Sequence, residues 1–273
     1  MCFGVRDAIA LALQKAKHQP LTILGELVHN EHVIATLQEH GIKIQTEISE
    51  VRTEHVLITA HGTSSRTMEK ARAHGLDVSE ATCPLVRFAH EAVAKLVSGG
   101  YHPVIIGKRD HVEVRGITDD LAEFDVILNE SDVERLDERP RFGVAAQTTQ
   151  PIDKVRKLVS LIRERFPNSE VRFADTVCQP TKHRQSAAIG LAQQCDVVIV
   201  VGGARSNNTQ ELVATCRRYA PRVYHVQTAL ELRPEWFAET DTVGITAGTS
   251  TPDSIIDAVE DRVREFDTAA VTV

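Results

Sequence analysis

The chain has 273 residues, of which 42% are hydrophobic and 25% charged, so it can bury substantial cores as an ordinary globular protein does. Its formal net charge of −7 argues against a broad nucleic-acid-binding surface, although a local anion site remains compatible with it. No apolar run approaches the roughly 18 residues of a membrane-spanning helix, and no basic-then-apolar leader is present. We therefore expect a cytoplasmic protein that binds neither nucleic acid nor membrane.

Short apolar runs rich in Val and Ile alternate with stretches of helical periodicity along the chain. The runs predict strands buried on both faces, as in parallel sheets covered by crossover helices. In chain order the strand-like runs are Leu21 to Gly25, Val56 to Ala60, Leu76 to Thr82, Val104 to Gly107, Gly143 to Gln150, Val171 to Val177, Val197 to Gly202 and Val243 to Thr251. Helices are predicted around Val5 to Leu13, Leu85 to Leu96, Val155 to Phe166 and Ile255 to Val263.

Three of the five cysteines recur at similar intervals. Cys2, Cys83 and Cys178 lie 81 and 95 residues apart, and each immediately precedes a helical stretch. A strand-like run ends in glycine 23 or 24 residues after each of them, at Gly25, Gly107 and Gly202. A third landmark follows, a run that closes on alanine and small hydroxyl residues. The chain is therefore interpreted as three related units of about 90 residues with one cysteine each.

This repeat predicts an α/β fold of three small domains with parallel sheets. The boundaries fall at 1–84, 85–177 and 178–273, because Pro84 and Pro180 mark turns beside the second and third cysteines. Ligands of open α/β sheets lie outside the carboxyl ends of the strands, where the landmark loops also lie. Helix starts at these loops offer backbone N–H groups to anions, although helix capping by Ser or Thr explains any single loop more often than ligand binding does.

An odd number of cysteines in a chain without an export signal favours thiolate chemistry over a disulfide framework. Structural zinc draws on closely spaced cysteine pairs, and the sequence contains none. A [4Fe–4S] cluster with three cysteine ligands leaves one iron open for substrate, which suits one cysteine per unit. Cys195 and Cys216 lie at no repeated position, so we expect them to be buried thiols.

The ordered motifs resemble those of the LytB family, the 4-hydroxy-3-methylbut-2-enyl diphosphate reductases of the non-mevalonate isoprenoid pathway, over essentially the whole chain. The matching residues are Cys2, Gly4, Val5, Ala8 and Ile9; Val28, His29 and Asn30; Ala60, His61 and Gly62; Ala81 to Leu85; His111, Glu113, Val114 and Gly116; Gln147, Thr148 and Thr149; Cys178, Thr181, Arg184 and Gln185; Ser206 and Asn208; and Thr246, Ala247, Gly248, Ser250, Pro252 and Asp253.

The resemblance implies a trefoil of three pseudo-threefold-related α/β domains around a central [4Fe–4S] cluster. The cluster would be held by Cys2, Cys83 and Cys178 with one open iron, and a low-potential donor, ferredoxin or flavodoxin, would supply two electrons. An allylic diphosphate would lose its hydroxyl as water and yield isopentenyl and dimethylallyl diphosphate. Glu113 would donate the proton, with His111 and Thr148 beside it, and burial should raise the pKa of Glu113. The residues that would bind substrate are His29, His61, His111, Thr148, Ser206, Asn207, Asn208 and Ser250.

The first cysteine departs from the repeat because no strand-like run precedes it. Such runs precede Cys83 and Cys178, whereas Cys2 follows Met1 directly. We therefore expect either a start site placed too late or a sheet of the first domain that has one strand fewer than its sisters. Cys2 is accordingly the least secure of the three predicted ligands.

Two alternative functions remain open at this point. One is a different three-cysteine [4Fe–4S] enzyme of the dehydratase type, resembling quinolinate synthase, which the His29, His61 and Glu113 motifs disfavour. The other is a cluster protein without turnover, such as a redox sensor, which would oxidise no reductant in response to substrate. For Glu113 alone, a first-turn glutamate favoured by a helix dipole is the ordinary explanation.

Overall fold

The computed structural model describes residues 1–269, with side chains described up to Phe266. Its strands are β1 Leu21–Leu24, β2 Lys43–Gln45, β3 His55–Ile58, β4 Asp77–Glu80, β5 His102–Ile106, β6 Asp125–Ile127, β7 Arg141–Ala146, β8 Glu170–Phe173, β9 Val197–Val201, β10 Arg222–Val226 and β11 Val243–Ala247. Its α-helices are α1 Phe3–Ala16, α2 Glu31–Glu39, α3 Ser65–Ala73, α4 Pro84–Ser98, α5 Val112–Thr118, α6 Glu130–Glu134, α7 Ile152–Arg165, α8 Gln179–Ala192, α9 Asn207–Cys216 and α10 Asp253–Ala269. Short 3₁₀ helices span Ile48–Glu50, Ala229–Glu231 and Pro234–Trp236. Within this described stretch no helix combines the length and apolarity needed to cross a membrane.

The strands form three parallel sheets, as the sequence predicted. The first has the order β2-β1-β3-β4, the second β6-β5-β7-β8 and the third β10-β9-β11. In each sheet the chain adds the second strand on one side of the first and the third strand on the other. The same winding order therefore recurs three times, and each sheet falls within one of the three predicted ranges. The division into three domains itself stays a prediction.

By internal contacts the chain divides into two compact units. The third-sheet unit contains Met1–Phe3, His29–Ile34 and the chain from Gln179 onward, and the two-sheet unit contains Gly4–Val28 and Ala35–Cys178 with the first and second sheets. The residues around Cys2 and His29 thus belong with the third sheet, although they are distant from it in sequence.

The prediction that the first sheet has one strand fewer than its sisters is wrong. The first sheet has four strands, as many as the second, whereas the third has three among the residues that the structure describes. The reason is that the strand before each later cysteine belongs to the preceding sheet: β4 precedes Cys83 and pairs with β3, and β8 precedes Cys178 and pairs with β7. A strand that precedes a cysteine in sequence is therefore not part of the sheet that follows that cysteine.

Each sheet has a point where the direction of strand addition reverses, between its first and third strands. Side chains that follow these two strands face the crevice where α/β proteins bind ligands. Glycines allow the first of the two turns: Gly25 has φ +94° and Gly202 has φ +157°, conformations that side-chain-bearing residues rarely adopt. The glycine landmarks and the hydroxyl landmarks of the sequence are therefore the two loops that flank these crevices.

Apolar packing on both faces explains why the central strands carry near-continuous Val and Ile. All five residues of β9 are fully buried, between a cluster of residues from α8 and α9 on one face and a cluster that includes α10 on the other. In the second sheet, Phe142 of β7 is fully buried, and its ring centroid lies 5.1 Å from that of Phe166. The four helices predicted from periodicity correspond to α1, α4, α7 and α10.

Substitution of Phe142 with Ala should lower the free energy of unfolding of the protein by about 3–5 kcal/mol, because it removes a fully buried ring and leaves a cavity. The measurement is chemical denaturation followed by circular dichroism. The matched control is Phe88→Ala, the same chemical change at a ring that is 51% exposed, and it should cost clearly less. Equal costs would contradict the packing described for β7.

Candidate active site

Each of the three repeated cysteines makes the same kind of backbone hydrogen bond, from its N–H to a carbonyl oxygen. The N–H of Cys83 donates to the carbonyl of Ala60 at 3.1 Å, and the N–H of Cys178 donates to that of Thr148 at 3.0 Å. In the third-sheet unit, the N–H of Cys2 donates to the carbonyl of Thr249 at 2.9 Å. Each acceptor lies two residues beyond the third strand of a sheet. The repeat read from spacing therefore has a counterpart in hydrogen bonding, and Cys2 makes this bond without a preceding strand.

Each of these cysteines also directly precedes a helix, respectively α1, α4 and α8. All three thiols are partly exposed and free of disulfides. Only glycine fits at position 4, since a Cβ there would lie 2.5 Å from the Cys83 sulfur. The remaining cysteines behave differently: Cys216 is buried and its thiol pKa is raised by burial to about 11, while Cys195 is only partly buried.

A partly buried arginine interacts electrostatically with Cys2. Arg184 of α8 donates to the carbonyl of Ala247 at 2.6 Å. Burial lowers the pKa of this guanidinium, while the charges of Cys2 and Asp253 oppose that change. Asp253 also accepts a hydrogen bond from the amino terminus of Met1 at 2.9 Å. The start of the chain is therefore held at the end of β11 by electrostatic contacts and one backbone bond.

Glu113 is the most deeply buried acid of the two-sheet unit, at 1% exposure in the first turn of α5. Its two carboxyl oxygens accept hydrogen bonds from Thr148, one from the backbone N–H at 2.6 Å and one from the hydroxyl at 2.9 Å. The carbonyl of the same threonine holds the backbone of Cys178. One residue thus joins the acid to a predicted metal ligand.

Burial raises the pKa of Glu113 to about 7, and the two hydrogen bonds from Thr148 oppose this increase without cancelling it. The sequence prediction of a raised pKa is confirmed. Glu113 is indeed a first-turn glutamate, so the helix-dipole explanation describes its place in α5. It does not account for the chemistry, because the loss of hydration outweighs any stabilisation of the charge. Near neutral pH this carboxyl exists in both protonation states.

Two histidines lie beside this acid in the same unit. His111 is the residue before α5, and its Nδ1 accepts a hydrogen bond from the N–H of Glu113 at 3.1 Å. A neutral imidazole that accepts at Nδ1 must carry its proton on Nε2, so this ring is set as a donor at Nε2. The His61 ring meets it edge-on, with the centroids 5.5 Å apart. Glu113, Thr148, His111 and His61 are therefore neighbours, as the resemblance implied.

In the third-sheet unit, the start of α9 carries buried polar groups. Ser206 is its N-cap and accepts from the N–H of Thr209 at 3.3 Å. Asn208 is 3% exposed, Ser250 6% and Thr209 not at all. Neither amide atom of Asn208 and neither of the hydroxyls of Ser250 and Thr209 has a hydrogen-bond partner among the described residues. Buried polar atoms in this state are costly and usually await a ligand or water.

The backbone of His29 packs in the same unit, against a glycine that has no side chain to block it. A Cβ on Gly203 would lie 2.4 Å from the carbonyl oxygen of His29, so only glycine lets the 29–30 segment lie against the turn after β9. Asn30 directly precedes α2, and its side-chain oxygen accepts a hydrogen bond from the N–H of Val33 at 3.2 Å. The structure places Cys2, His29, Ser206, Asn207, Asn208 and Ser250 in the third-sheet unit, and Cys83, Cys178, His61, His111, Glu113 and Thr148 in the two-sheet unit.

Sequence reasoning did not single out Thr209 or explain Gln147. A Cβ on Gly202 or on Gly248 would lie 2.5 or 2.2 Å from the Thr209 hydroxyl oxygen, so this side chain occupies the space between the two turns. Gln147 is fully buried, and its side-chain oxygen accepts from the N–H of Lys108 at 3.1 Å, which ties the turn after β7 to the turn after β5. The two small residues after β9 and β11, both glycines, were the available signal for Thr209.

Comparison with known proteins gives matches along almost the whole chain. A family model described as LytB protein matches residues 1–264. The chain is 37% identical to 4-hydroxy-3-methylbut-2-enyl diphosphate reductase of Geobacter metallireducens, covering 98% of this chain and 95% of that protein. It is 40% identical to the enzyme of the same name from Trichlorobacter lovleyi, covering 96% and 94%.

Two solved structures are also similar to this chain. One is described as the E-1-hydroxy-2-methyl-but-2-enyl-4-diphosphate reductase from Plasmodium falciparum, with a TM-score of 0.90 at 27% identity over 98% of this chain and 86% of that one. Another, described as (E)-4-hydroxy-3-methyl-but-2-enyl diphosphate reductase, has a TM-score of 0.69 at 36% identity over 97% and 96%. The α/β fold with a buried acid beside two histidines is thus that of an oxidoreductase. The chain belongs to the LytB family.

Stability should depend on pH through Glu113. Its folded pKa of about 7 lies above the ordinary value of 4.5, so the folded state binds more protons than the unfolded state between these values, and stability falls as the pH rises through this window. This loss in the free energy of unfolding is on the order of 3 kcal/mol and is complete above pH 7. Glu113→Gln removes it. Urea denaturation at pH 5 and pH 9 measures the difference. Glu134→Gln, at an exposed position, serves as the control, and a pH-independent effect of Glu113→Gln would contradict the raised pKa.

Proposed function

We propose that the chain reduces 4-hydroxy-3-methylbut-2-enyl diphosphate to isopentenyl and dimethylallyl diphosphate in the cytoplasm, as the last step of the non-mevalonate pathway. Two electrons and two protons enter, the allylic C–O bond breaks, and the oxygen leaves as water. The family membership supports this reaction class. The observation that carries the proposal is the buried Glu113 carboxyl, which two hydrogen bonds from Thr148 hold and burial keeps protonatable near neutral pH.

The donor set fits an iron–sulfur cluster, which is inherent to this family. Cys2, Cys83 and Cys178 offer three partly exposed thiols that form no disulfide and lie directly before helices, and Gly4 lets the start of α1 approach the Cys83 sulfur. We assign these three as ligands of a [4Fe–4S] cluster with one open iron. When bound, such a cluster supplies electrons and a Lewis-acidic site for the substrate hydroxyl.

Within the two-sheet unit, Glu113 is the proposed proton donor to the departing oxygen. Hydroxide is a poor leaving group, so a proton from a positioned acid is needed, and an acid with a pKa near the working pH is best suited to give it. Thr148 keeps the carboxyl in place with its N–H and its hydroxyl. His111, set as a donor at Nε2, orients the alcohol or relays the proton. Burial of the acid also keeps bulk water from exchanging its proton.

The proposed diphosphate-binding residues follow from the resemblance to the family. In the third-sheet unit Asn208 and Ser250 hold buried polar atoms without partners, and α9 presents its N-terminal N–H groups beside them. Anions are stabilised at such helix ends. Ser206, Asn207 and His29 complete the proposed set there, with His61 in the two-sheet unit. The low-potential electron donor, ferredoxin or flavodoxin, is part of the proposal by resemblance only.

Glu113→Gln should lower turnover by about 10²–10⁴-fold, since the amide keeps the shape of the side chain but has no acidic proton to give. The measurement is substrate-dependent oxidation of a low-potential reductant by anaerobically purified protein, with iron and acid-labile sulfide assayed in the same samples. Wild type and variant should both contain about four of each per chain. Glu134→Gln should leave turnover unchanged. Undiminished turnover in Glu113→Gln would overturn the acid, whereas an iron-loaded wild type without turnover would favour a redox sensor.

Ser250→Ala should weaken binding of inorganic diphosphate by about 10- to 100-fold, the value of a hydrogen bond to a charged group. It should not destabilise the free protein, because it removes a buried hydroxyl that has no partner there. Titration calorimetry measures the affinity, and thermal unfolding without ligand measures the stability. Ser98→Ala, at an exposed helix position, is the control. Lost stability with unchanged affinity would mean that Ser250 is a structural residue.

A further inference from the structure

Two adjacent aspartates after α5 hold the start of another helix. A carboxylate oxygen of Asp119 accepts a hydrogen bond from the hydroxyl of Ser64 at 2.5 Å. Asp120 accepts from the backbone N–H groups of Ser65 at 2.7 Å and Arg66 at 3.1 Å, one with each oxygen. All three bonds join residues 54 or 55 positions apart. The helix that receives this support is α3, whose preceding loop carries His61.

The support from Asp120 is unusual because a helix start is normally capped by its own residues. Ser64 is indeed the N-cap of α3 and accepts from the N–H of Thr67 at 3.1 Å. This cap leaves the N–H groups of Ser65 and Arg66 without a local acceptor. Asp120, which lies outside the helix, accepts a hydrogen bond from each of them. Burial acts to raise the pKa of Asp120, but these hydrogen bonds outweigh it and the pKa is lowered. The bonds therefore favour the charged carboxylate.

Close backbone packing makes the same connection a second time. A Cβ on Gly116 of α5 would lie 3.3 Å from the Cα of Thr63 and 3.5 Å from Cε1 of His90. Gly62 has φ +71°, and a Cβ there would lie 3.4 Å from Nε2 of His90. The loop from His61 to Ser64 thus lies directly on α5, and the His90 ring packs against both glycines.

The element on which this loop rests is the one that carries the proposed acid. Glu113 lies in the first turn of α5, His111 is its N-cap, and the two aspartates follow its end. The distance of 5.5 Å between the His61 and His111 rings consequently depends on how α3 is attached to α5. A loop held only by its own chain ends would be free to change that distance.

We propose that Asp119 and Asp120 are positioning residues for His61. They fix the loop before α3 on α5 and so set the His61 ring relative to His111 and Glu113 for substrate binding. The inference rests on the proposed function, in which His61 binds the diphosphate. An ordinary cap would affect the stability of α3 and nothing else, whereas a positioning pair affects ligand affinity through His61.

The chemistry of the bonds predicts an order of effects. Asp119→Asn keeps an oxygen that accepts from the Ser64 hydroxyl, so it should behave nearly as wild type, while Asp119→Ala should not. Asp120→Ala removes both acceptors. Displacements of about 1 Å in a binding or reacting group cost up to about 100-fold. We expect Asp119→Ala and Asp120→Ala to raise the Kd for inorganic diphosphate and the KM for substrate by about tenfold, with kcat per cluster-loaded protein changed much less.

The deciding experiment is a double-mutant cycle with His61→Ala, using cluster-loaded protein. Diphosphate affinity is measured by calorimetry for wild type, Asp120→Ala, His61→Ala and the double variant. If Asp120 acts through His61, its effect disappears in the His61→Ala background. An effect that persists undiminished in the double variant, or no effect in either background, overturns the inference. Asp137→Ala, an exposed aspartate, should change neither quantity.

Failure of the proposed function gives a different result. Wild-type protein that binds diphosphate but does not turn over the substrate contradicts the reductase proposal and leaves the cycle readable. Deuterium exchange of peptides from residues 59–67 supplies a readout that needs no activity. Exchange should rise in Asp119→Ala and Asp120→Ala and return to the wild-type rate in Asp119→Asn. Unchanged exchange in both alanine variants would show that the aspartates do not hold the loop.

Discussion

The burial of the Glu113 carboxyl against Thr148 is the interaction on which the rest of the site depends. An acid removed from water favours its neutral form, and this loss of hydration explains a pKa of about 7. Thr148 uses all of its polar groups in this arrangement: its N–H and hydroxyl hold the acid, and its carbonyl holds Cys178. The position of the acid and the position of a predicted metal ligand are therefore set by a single residue.

The fold makes this arrangement possible by repeating one winding order. In every sheet the first and third strands are neighbours, so the loops that follow them meet at the same edge. The repeated bond from a cysteine N–H to a carbonyl two residues after the third strand links each cysteine to such a loop. Helix starts then supply N–H groups at the same edge, which gives an acidic protein places to stabilise anions without a cluster of lysines.

Much of the fold could be predicted from sequence because the central strands and long helices have clear periodicity. Val197–Val201 is apolar at every position, and all of these residues are buried. The short outer strand Lys43–Gln45 could not be predicted, since it has three residues, one of them exposed, and its pairing depends on tertiary contact. The first sheet was predicted to have one strand fewer because adjacency in sequence was taken for membership of a sheet. β4 and β8 instead complete the sheet that precedes the cysteine.

Some residues of the candidate site could likewise be predicted from the sequence, and others could not. The repeat alone indicated the three cysteines, and the resemblance indicated Glu113, Thr148 and the histidines. The contacts of Asp119 and Asp120 with Ser64 to Arg66 could not be foreseen, because they join residues about 55 positions apart and carry no periodic signal. Thr209 was not predicted from the sequence for a related reason. Its environment is made by two glycines in the turns that follow different strands, and only the folded chain brings them together.

The unpartnered polar atoms of Asn208, Thr209 and Ser250 make the third-sheet unit sensitive to the solution in which it is kept. Any small oxyanion that occupies the start of α9 binds the folded state alone, and the fold is then stabilised by mass action as its concentration rises. Sulfate or phosphate in a buffer would raise the melting temperature and at the same time compete with a diphosphate. Purification conditions that make the protein easiest to handle are thus the ones in which its affinity is hardest to measure.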